Sequence, residues 1–152
     1  MTTRQMLNEW IAHMQPILGS PPELPDQSGV VALDCGDDLA VHIGAFDAND
    51  MVHFFATLTI APENHDEMHL LMKEALRVNV ELLGILPGGV GLSPDEREFV
   101  LSAHYPVATL DVDSLSSRLA GFVTICKETK ERFLQPGLPS STISLAAYTQ
   151  QV

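Results

Sequence analysis

The sequence predicts an α+β fold, in which a twisted antiparallel sheet carries flanking helices in the order α-β-β-β-α-β-β-α. Helical apolar spacing marks the first and the last predicted element, and a third helical stretch separates two groups of extended runs. Short polar turns, rather than helices, join the extended runs within each group, which favours antiparallel pairing. With 152 residues, 45% of them hydrophobic, the chain has the size and apolar content of one domain.

The first helix is predicted from Thr3 to about Leu18, with Thr2 or Thr3 available as its cap. Its apolar residues recur at spacings of three and four and are Met6, Leu7, Trp10, Ile11, Met14, Ile17 and Leu18. Such a stripe either packs in the core or binds a ligand polypeptide, and the pattern leaves both interpretations open. The composition of residues 19–29, GSPPELPDQSG, predicts a loop.

Three strands are predicted next, at Val30–Asp34, Leu39–Gly44 and Met51–Ile60. The turns between them, CGDD and AFDAND, are short and polar, so a meander is the simplest arrangement. The second strand alternates in a way that predicts one buried face, whereas the third is apolar on both faces.

The clearest helix is predicted from about Asn64 to Gly84, with Asn64 or Asp66 at its cap and Gly84 as its stop. A helix that covered only its own sheet would need an apolar stripe of about 100°. The apolar arc of this helix is much wider and comprises Leu71, Met72, Ala75, Leu76, Val78, Val80, Leu82 and Leu83. We therefore expect it to pack on two surfaces, and we interpret the second as a contact with another subunit.

Two further strands are predicted around Val90–Leu92 and Phe99–Ala103, joined by the turn-like sequence SPDERE. The last helix is predicted from near Asp113 to about Phe133, with basic residues in its closing turns, where they favour the negative end of the helix dipole. Residues 136–152 carry no charged side chain and no clear period. The sequence is therefore divided into a domain at residues 1–135 and a flexible tail at residues 136–152.

The charge of the chain argues against several classes of partner. Its 20 acidic and 8 basic side chains give a formal net charge of −12, which repels nucleic acid and anionic membrane surfaces. No apolar stretch has the length of a signal peptide or the ~20 residues that a membrane span needs, so the cytoplasm is the expected compartment. Cys35 and Cys126 lack metal-ligand or CxxC spacing and are expected to be free thiols.

The strongest candidate for catalysis is the pair His65 and His69, which stand one helical turn apart, like zinc ligands on a helix. The hydrolytic HExxH motif needs a glutamate directly after its first histidine, but Asp66 stands there and no third ligand can be identified. PGGVG at residues 87–91 lacks the lysine and hydroxyl residue of a P-loop. We expect no catalytic site, no metal and no cofactor, and a metal-dependent hydrolase using the two histidines is the enzymatic alternative.

The run LMKEALRVNVELLGILPGGVGLSPDEREFVL at residues 71–101 resembles the Tir chaperone (CesT) family of type III secretion chaperones. The features shared with the family are a helix ending in a Leu-x-x-Asn-type segment, a glycine-containing turn, a Gly-Leu strand, a polar hairpin and a returning strand. The segment LDVDSLSSRLAGFVTICKETKERF is similar to the closing helix of the family, and the resemblance spans residues 4 to 134 or so.

This resemblance implies a homodimer that binds the N-terminal segment of a secreted effector and keeps it soluble and competent for export, without ATP or covalent chemistry. The effector is expected to add a strand to a sheet edge and to insert apolar anchors into pockets. The predicted effector-binding residues are Leu7, Trp10, Ile11, Met14, Val41, Ile43 and Phe54. The predicted dimer interface comprises Leu71, Leu76, Val80, Leu83 and Leu92. A regulatory adaptor that binds a component of the secretion machinery is the alternative.

Overall fold

The fold is taken from a computed structural model, which describes residues 1–18 and 29–137. Residues 19–28 of the predicted loop and residues 138–152 of the predicted tail lie outside the described residues. The helices and strands are, in order, α1 (Thr3–Leu18), β1 (Val30–Asp34), β2 (Ala40–Phe46), β3 (Met51–Ile60), α2 (His65–Leu82), β4 (Gly88–Leu92), β5 (Glu98–Pro106) and α3 (Val112–Leu134). A short 3-10 turn at Val107–Thr109 leads into α3. The predicted α+β fold class and the order of its elements are confirmed.

The sheet has five strands in the order β1-β2-β3-β5-β4, and every neighbouring pair is antiparallel. The first three strands form the predicted meander, and β5 returns beside β3 so that β4 becomes an edge strand. Phe54 lies opposite Ile43 on one side and Ala103 on the other, at the centre of the sheet. The register between β3 and β5 shifts between Thr57 and Thr59.

All three helices described lie on one face of the sheet. Burial alternates along β3, where Val52, Phe54, Ala56 and Leu58 are buried beneath the helices and the residues between them are not. The ring of Phe54 lies 5.6 Å from that of Phe122 on α3 and 5.5 Å from that of Tyr105 on β5. The core is thus a single layer between the helices and one side of the sheet.

The caps explain where α2 and α3 begin. The side chain of Asn64 accepts hydrogen bonds from the N–H groups of Asp66 and Glu67, which satisfies donors that the first turn leaves free. Asp111 and Ser114 form a reciprocal capping box at the start of α3. At its other end, α2 stops just before Gly84, whose φ of 77° lies in the left-handed region.

A buried ion cluster joins α2 to α3. The guanidinium of Arg132 donates to the Glu74 carboxylate at 2.7 Å and to the Glu81 carboxylate at 2.7 Å and 3.1 Å. Glu74 is buried although glutamates usually lie at the surface. Because a buried carboxylate is costly without a partner, the cluster fixes how the two helices meet.

Candidate functional site

The side of the sheet that faces away from the helices is called the open face. Its residues on β2, β3 and β5 are His42, Gly44, Phe46, Met51, His53, Phe55, Thr57, Glu98, Val100, Ser102 and His104. None of these strands carries a helix on this side among the described residues. The open face is therefore a broad surface of mixed aromatic, apolar and polar side chains on which a ligand can lie.

Aromatic rings cross the open face from strand to strand. His42 stacks on Phe55 with ring centroids 5.0 Å apart and an interplanar angle of 10°. Phe46 meets His53 edge to face at 5.1 Å, and His53 lies 6.0 Å from His104. These contacts hold the rings in fixed positions, so the face is organised before any ligand arrives.

Gly44 allows the ring of Phe46 to lie over the sheet. A Cβ atom at Gly44 would stand 3.0 Å from the Phe46 ring, closer than an ordinary contact. Phe46 is nevertheless 42% exposed, so the ring presents apolar area to a ligand.

His53 is held in its neutral form by its surroundings. Burial, and then the nearby His104, lower the pKa of His53 below its ordinary value of 6.5. Within the described residues its Nε2 atom is buried and has no hydrogen-bond partner. The centre of the open face is therefore uncharged at this position at neutral pH.

A pocket of about 530 Å³ opens on this face beside β4. It is lined by His42, Phe55, Thr57, Gly91, Leu92, Ser93, Pro94, Glu98, Val100 and Ser102. Gly91 leaves one side of the pocket bare, since a Cβ atom there would meet nothing within 4 Å. The pocket can accept one side chain of a bound polypeptide.

The two edges of the sheet differ. The side chain of Asn79 on α2 accepts from the Val90 N–H at 2.7 Å and donates to the Val90 carbonyl at 3.0 Å. The N–H of Gly88 donates to the Leu86 carbonyl at 2.9 Å. Both outward groups of Val90 and the N–H of Gly88 are thus already used, and this edge is closed to a further strand at Val90.

Within residues 1–18 and 29–137, the β1 edge offers outward backbone groups at Ala32. The N–H of Cys35 donates to the Leu39 carbonyl at 2.9 Å, and hydrogen-bonded pairs alternate with non-bonded ones along an antiparallel ladder. Ala32, which lies opposite His42, therefore turns its N–H and carbonyl away from β2. Among the described residues no strand lies beside it, so this edge can accept a strand from another chain.

A row of exposed apolar residues runs along α2 and is called the α2 stripe. It consists of Met72, Leu76, Val80 and Leu83. Leu76 is 67% exposed and Leu83 is 75% exposed, and the spacings of four, four and three place all of these side chains on one side of the helix. Exposed apolar rows of this kind are typical of interaction surfaces.

The structure separates the predicted dimer residues into two groups. Leu76, Val80, Leu83 and Leu92 are exposed, the first three in the α2 stripe and Leu92 on the neighbouring strand β4. Leu71 is only 6% exposed and lies in the core instead, where it has no surface to offer a second subunit.

Of the predicted effector-binding residues, Trp10 alone reaches the surface, where it is half-buried on α1. The others lie in the core and are Leu7, Ile11, Met14, Val41, Ile43 and Phe54. On β2 the helices cover the face that carries Val41 and Ile43, so His42 and Phe46 face outwards in their place. A buried side chain offers a client no area, and these six residues hold α1 and the sheet together.

No pattern in the sequence singles out the open face, the pocket or Asn79. A period-two pattern shows that a strand has two faces but does not tell which face the helices cover. The pairing of Asn79 with β4 joins residues 11 positions apart in the chain, and no local pattern marks it.

His65 and His69 are both exposed, in the first and second turns of α2. The described residues hold no group of three or more His, Cys, Asp or Glu side chains that could bind a metal ion, so they supply no third ligand for this pair. Both cysteines are free. Among the described residues, no helix is both long enough and apolar enough to span a membrane.

A model of the Tir chaperone protein (CesT) family matches residues 9–130. A chain in the crystal structure of the ExsC–ExsE complex is 14% identical with a TM-score of 0.69, and the match covers 92% of this chain and 100% of that chain. A chain in the HopA1–SchA chaperone–effector complex is 16% identical with a TM-score of 0.59, covering 84% and 91%.

A chain in the crystal structure of the Yersinia pestis type III secretion chaperone SycH, in complex with a stable fragment of YscM2, is also similar. It is 14% identical with a TM-score of 0.51, and the match covers 79% of this chain and 96% of that chain. At these identities the three likenesses show a shared fold. No curated protein matches the chain.

Proposed function

The chain belongs to the Tir chaperone protein (CesT) family, and from this membership we propose that it is a type III secretion chaperone. It binds the N-terminal segment of a secreted effector and keeps that segment soluble and competent for export. The observation that carries the proposal is the open face, a whole side of the sheet with ordered aromatic rings and no helix over it among the described residues. The chains of similar fold in the ExsC–ExsE and HopA1–SchA complexes support it.

The client adds a strand to the sheet at β1. The outward groups of Ala32 supply a donor and an acceptor there, whereas Asn79 already occupies the corresponding groups of Val90 on β4. Backbone pairing is independent of client sequence and gives affinity. Side chains of further client segments that lie on the open face then provide selectivity.

Trp10 is the proposed client contact on α1. Its ring is half-buried against the core, so it is held in place and still presents an apolar surface. Large aromatic side chains in this situation are common binding hot spots. The client therefore contacts the protein at the open face, at the β1 edge and at Trp10.

The proposed second subunit packs on the α2 stripe and on Leu92 of β4. Leu76, Val80 and Leu83 expose apolar area that the chain's own core does not use. Two copies of the stripe facing each other across a two-fold axis would bury it in an isologous interface. The dimer thus uses the outer side of α2 and leaves the open face to the client.

The protein works by binding in the cytoplasm and performs no reaction. A binding surface of ordered rings and backbone groups needs no cofactor to hold an extended polypeptide, because the area buried offsets the cost of ordering the client. The net charge of −12 keeps a chain with this much exposed apolar surface soluble.

The test is to measure the mass of the protein in solution and then to purify it from its native bacterium under secreting conditions. We expect a dimer that carries an exported protein, whose N-terminal segment becomes protected from proteolysis in the complex. A strict monomer that recovers no exported protein would overturn the proposal. Recovery of a folded component of the secretion machinery alone would favour the regulatory adaptor.

A further inference from the structure

The pocket on the open face is lined by apolar, aromatic and acidic side chains. Pro94 and Val100 are apolar, His42 and Phe55 form a stacked aromatic pair, and Glu98 brings a carboxylate. Among the described residues, no lysine or arginine lines it. The hydrogen bond to the Glu98 carboxylate comes from the neutral Thr57 hydroxyl at 3.2 Å. The charge of Glu98 is therefore not balanced by a cation within the pocket.

We propose that this pocket binds an arginine side chain of the client, with the guanidinium on the Glu98 carboxylate and the aliphatic stem along Val100. A planar guanidinium can donate two parallel hydrogen bonds to a carboxylate and can also stack on an aromatic ring such as Phe55. An ammonium group can do only part of this, so the pocket discriminates against lysine. An aliphatic client residue would leave the carboxylate desolvated without a partner.

Two further features fit this occupant. The net charge of −12 attracts a basic side chain to the protein before any specific contact forms. The open side at Gly91 gives a long side chain room to enter from the β4 edge. The inference rests on the proposed function, since it names one residue type that the client presents to the open face.

The test uses capped amino acids, so that it does not depend on knowing the client. The full-length protein, labelled with 15N, is titrated with N-acetyl-arginine methylamide and separately with the lysine and leucine analogues. We expect the arginine probe to shift the amide signals of Gly91, Glu98 and Ser102 and to bind more tightly than the other two. Equal binding of all three probes, or no localised shift with arginine, would overturn the assignment.

Two variants and a matched control sharpen the test. Glu98→Gln keeps the shape and the Thr57 contact but removes the charge, and it should weaken arginine binding about tenfold. Gly91→Leu should obstruct the pocket from the β4 side and reduce the shifts. Glu131→Gln removes an exposed charge on α3 and should change nothing. Arginine binding that survives both pocket variants contradicts the proposal.

The mass of each variant in solution is measured as well, because Leu92 lines the pocket and also belongs to the proposed dimer surface. Once an exported protein has been recovered, Glu98→Gln should also reduce its affinity. If the capped arginine fails to bind while the exported protein still co-purifies, only the pocket assignment is wrong. If no exported protein is recovered, the chaperone function itself is contradicted, whatever the probes do.

Discussion

The side-chain amide of Asn79 takes the place of a neighbouring strand at Val90, because it pairs with both outward backbone groups of Val90. A helix side chain thus closes one edge of the sheet, while the β1 edge at Ala32 has no strand beside it among the described residues. Because exposed edges also promote aggregation, closing β4 at Val90 favours strand addition at the β1 edge instead.

Asn79→Ala should expose the β4 edge. Two buried or half-buried backbone groups lose their partners, so the free energy of unfolding should fall by about 1–3 kcal/mol. The variant should also self-associate more readily through the freed edge, which light scattering and urea denaturation can measure. Asn8→Ala, at an exposed position on α1, is the control and should behave as the wild type.

Leu76→Glu should convert the proposed dimer to a monomer. The residue is 67% exposed, so the substitution puts a charge into the interface while costing the core little. Sedimentation should show the mass halved with an unchanged far-UV spectrum. Leu134→Glu, at a residue that is 71% exposed at the end of α3, should keep the dimer. If Leu76→Glu stays dimeric, the interface lies elsewhere.

Trp10→Glu should lose the client and keep the dimer, because Trp10 lies on α1 and the α2 stripe lies on another helix. Co-purification of the exported protein measures the first effect and sedimentation the second. Gln5→Glu adds the same charge at an exposed position of α1 and serves as the control. Loss of the dimer in Trp10→Glu would assign α1 to the subunit interface instead.

Acid should destabilise the protein through His53. Burial lowers the pKa of His53 below the 6.5 of the unfolded chain, so below that pH the unfolded state binds more protons. Above about pH 7, His53 is mostly neutral in both the folded and the unfolded chain, so its protonation does not lower the free energy of unfolding. The free energy of unfolding should decline as the pH falls through 6.5 towards the lower pKa of His53 in the folded state.

The measurement is urea denaturation across this pH range, comparing the wild type with His53→Phe. The variant keeps an aromatic ring against Phe46 and should lose less stability on acidification. His65→Phe, at an exposed position, should follow the wild type. An identical pH dependence in all three proteins would mean that His53 does not contribute.

Arg132→Met should lower the free energy of unfolding by about 3–5 kcal/mol, since it leaves Glu74 buried without its main partner. Arg77 also approaches Glu74, at 3.7 Å, but its side chain is 62% exposed. Arg77→Met should therefore cost less than about 1 kcal/mol. Chemical denaturation measures the free energy of unfolding of both variants, whose arginines share the Glu74 carboxylate. Equal losses of this free energy would contradict a special role for the buried pair of Arg132 and Glu74.

Local signals in the sequence were sufficient for much of the fold. Asn64 was one of two candidate caps for α2 and is the residue that forms the cap. The apolar arc of α2 is wider than a single surface needs, and the structure does expose Leu76, Val80 and Leu83 on its outer side. Caps and helical periods depend on residues within a few positions of each other, so a local pattern in the sequence is enough to predict them.

Contacts between distant elements could not be predicted in the same way. Whether Val41 or His42 faces the helices depends on where α1 and α3 pack, and a two-residue period is compatible with either choice. Likewise, the charge of Glu74 alone predicts a surface position. Glu74 is buried because it pairs with Arg132, which lies 58 positions later in the chain. The predicted client residues on β2 and β3 were therefore core residues, and their immediate neighbours along the chain face outwards.

The restriction of the helices to one side of the sheet has an evolutionary consequence. Residues on the other side, such as His42, Ser102 and His104, touch none of the helices that the structure describes, so replacing them leaves the packing of the core unchanged. Selection for a stable monomer and selection for a partner consequently act on alternate positions of the same strands. One lineage can exchange its partner by a few substitutions at every second residue while its folding remains intact.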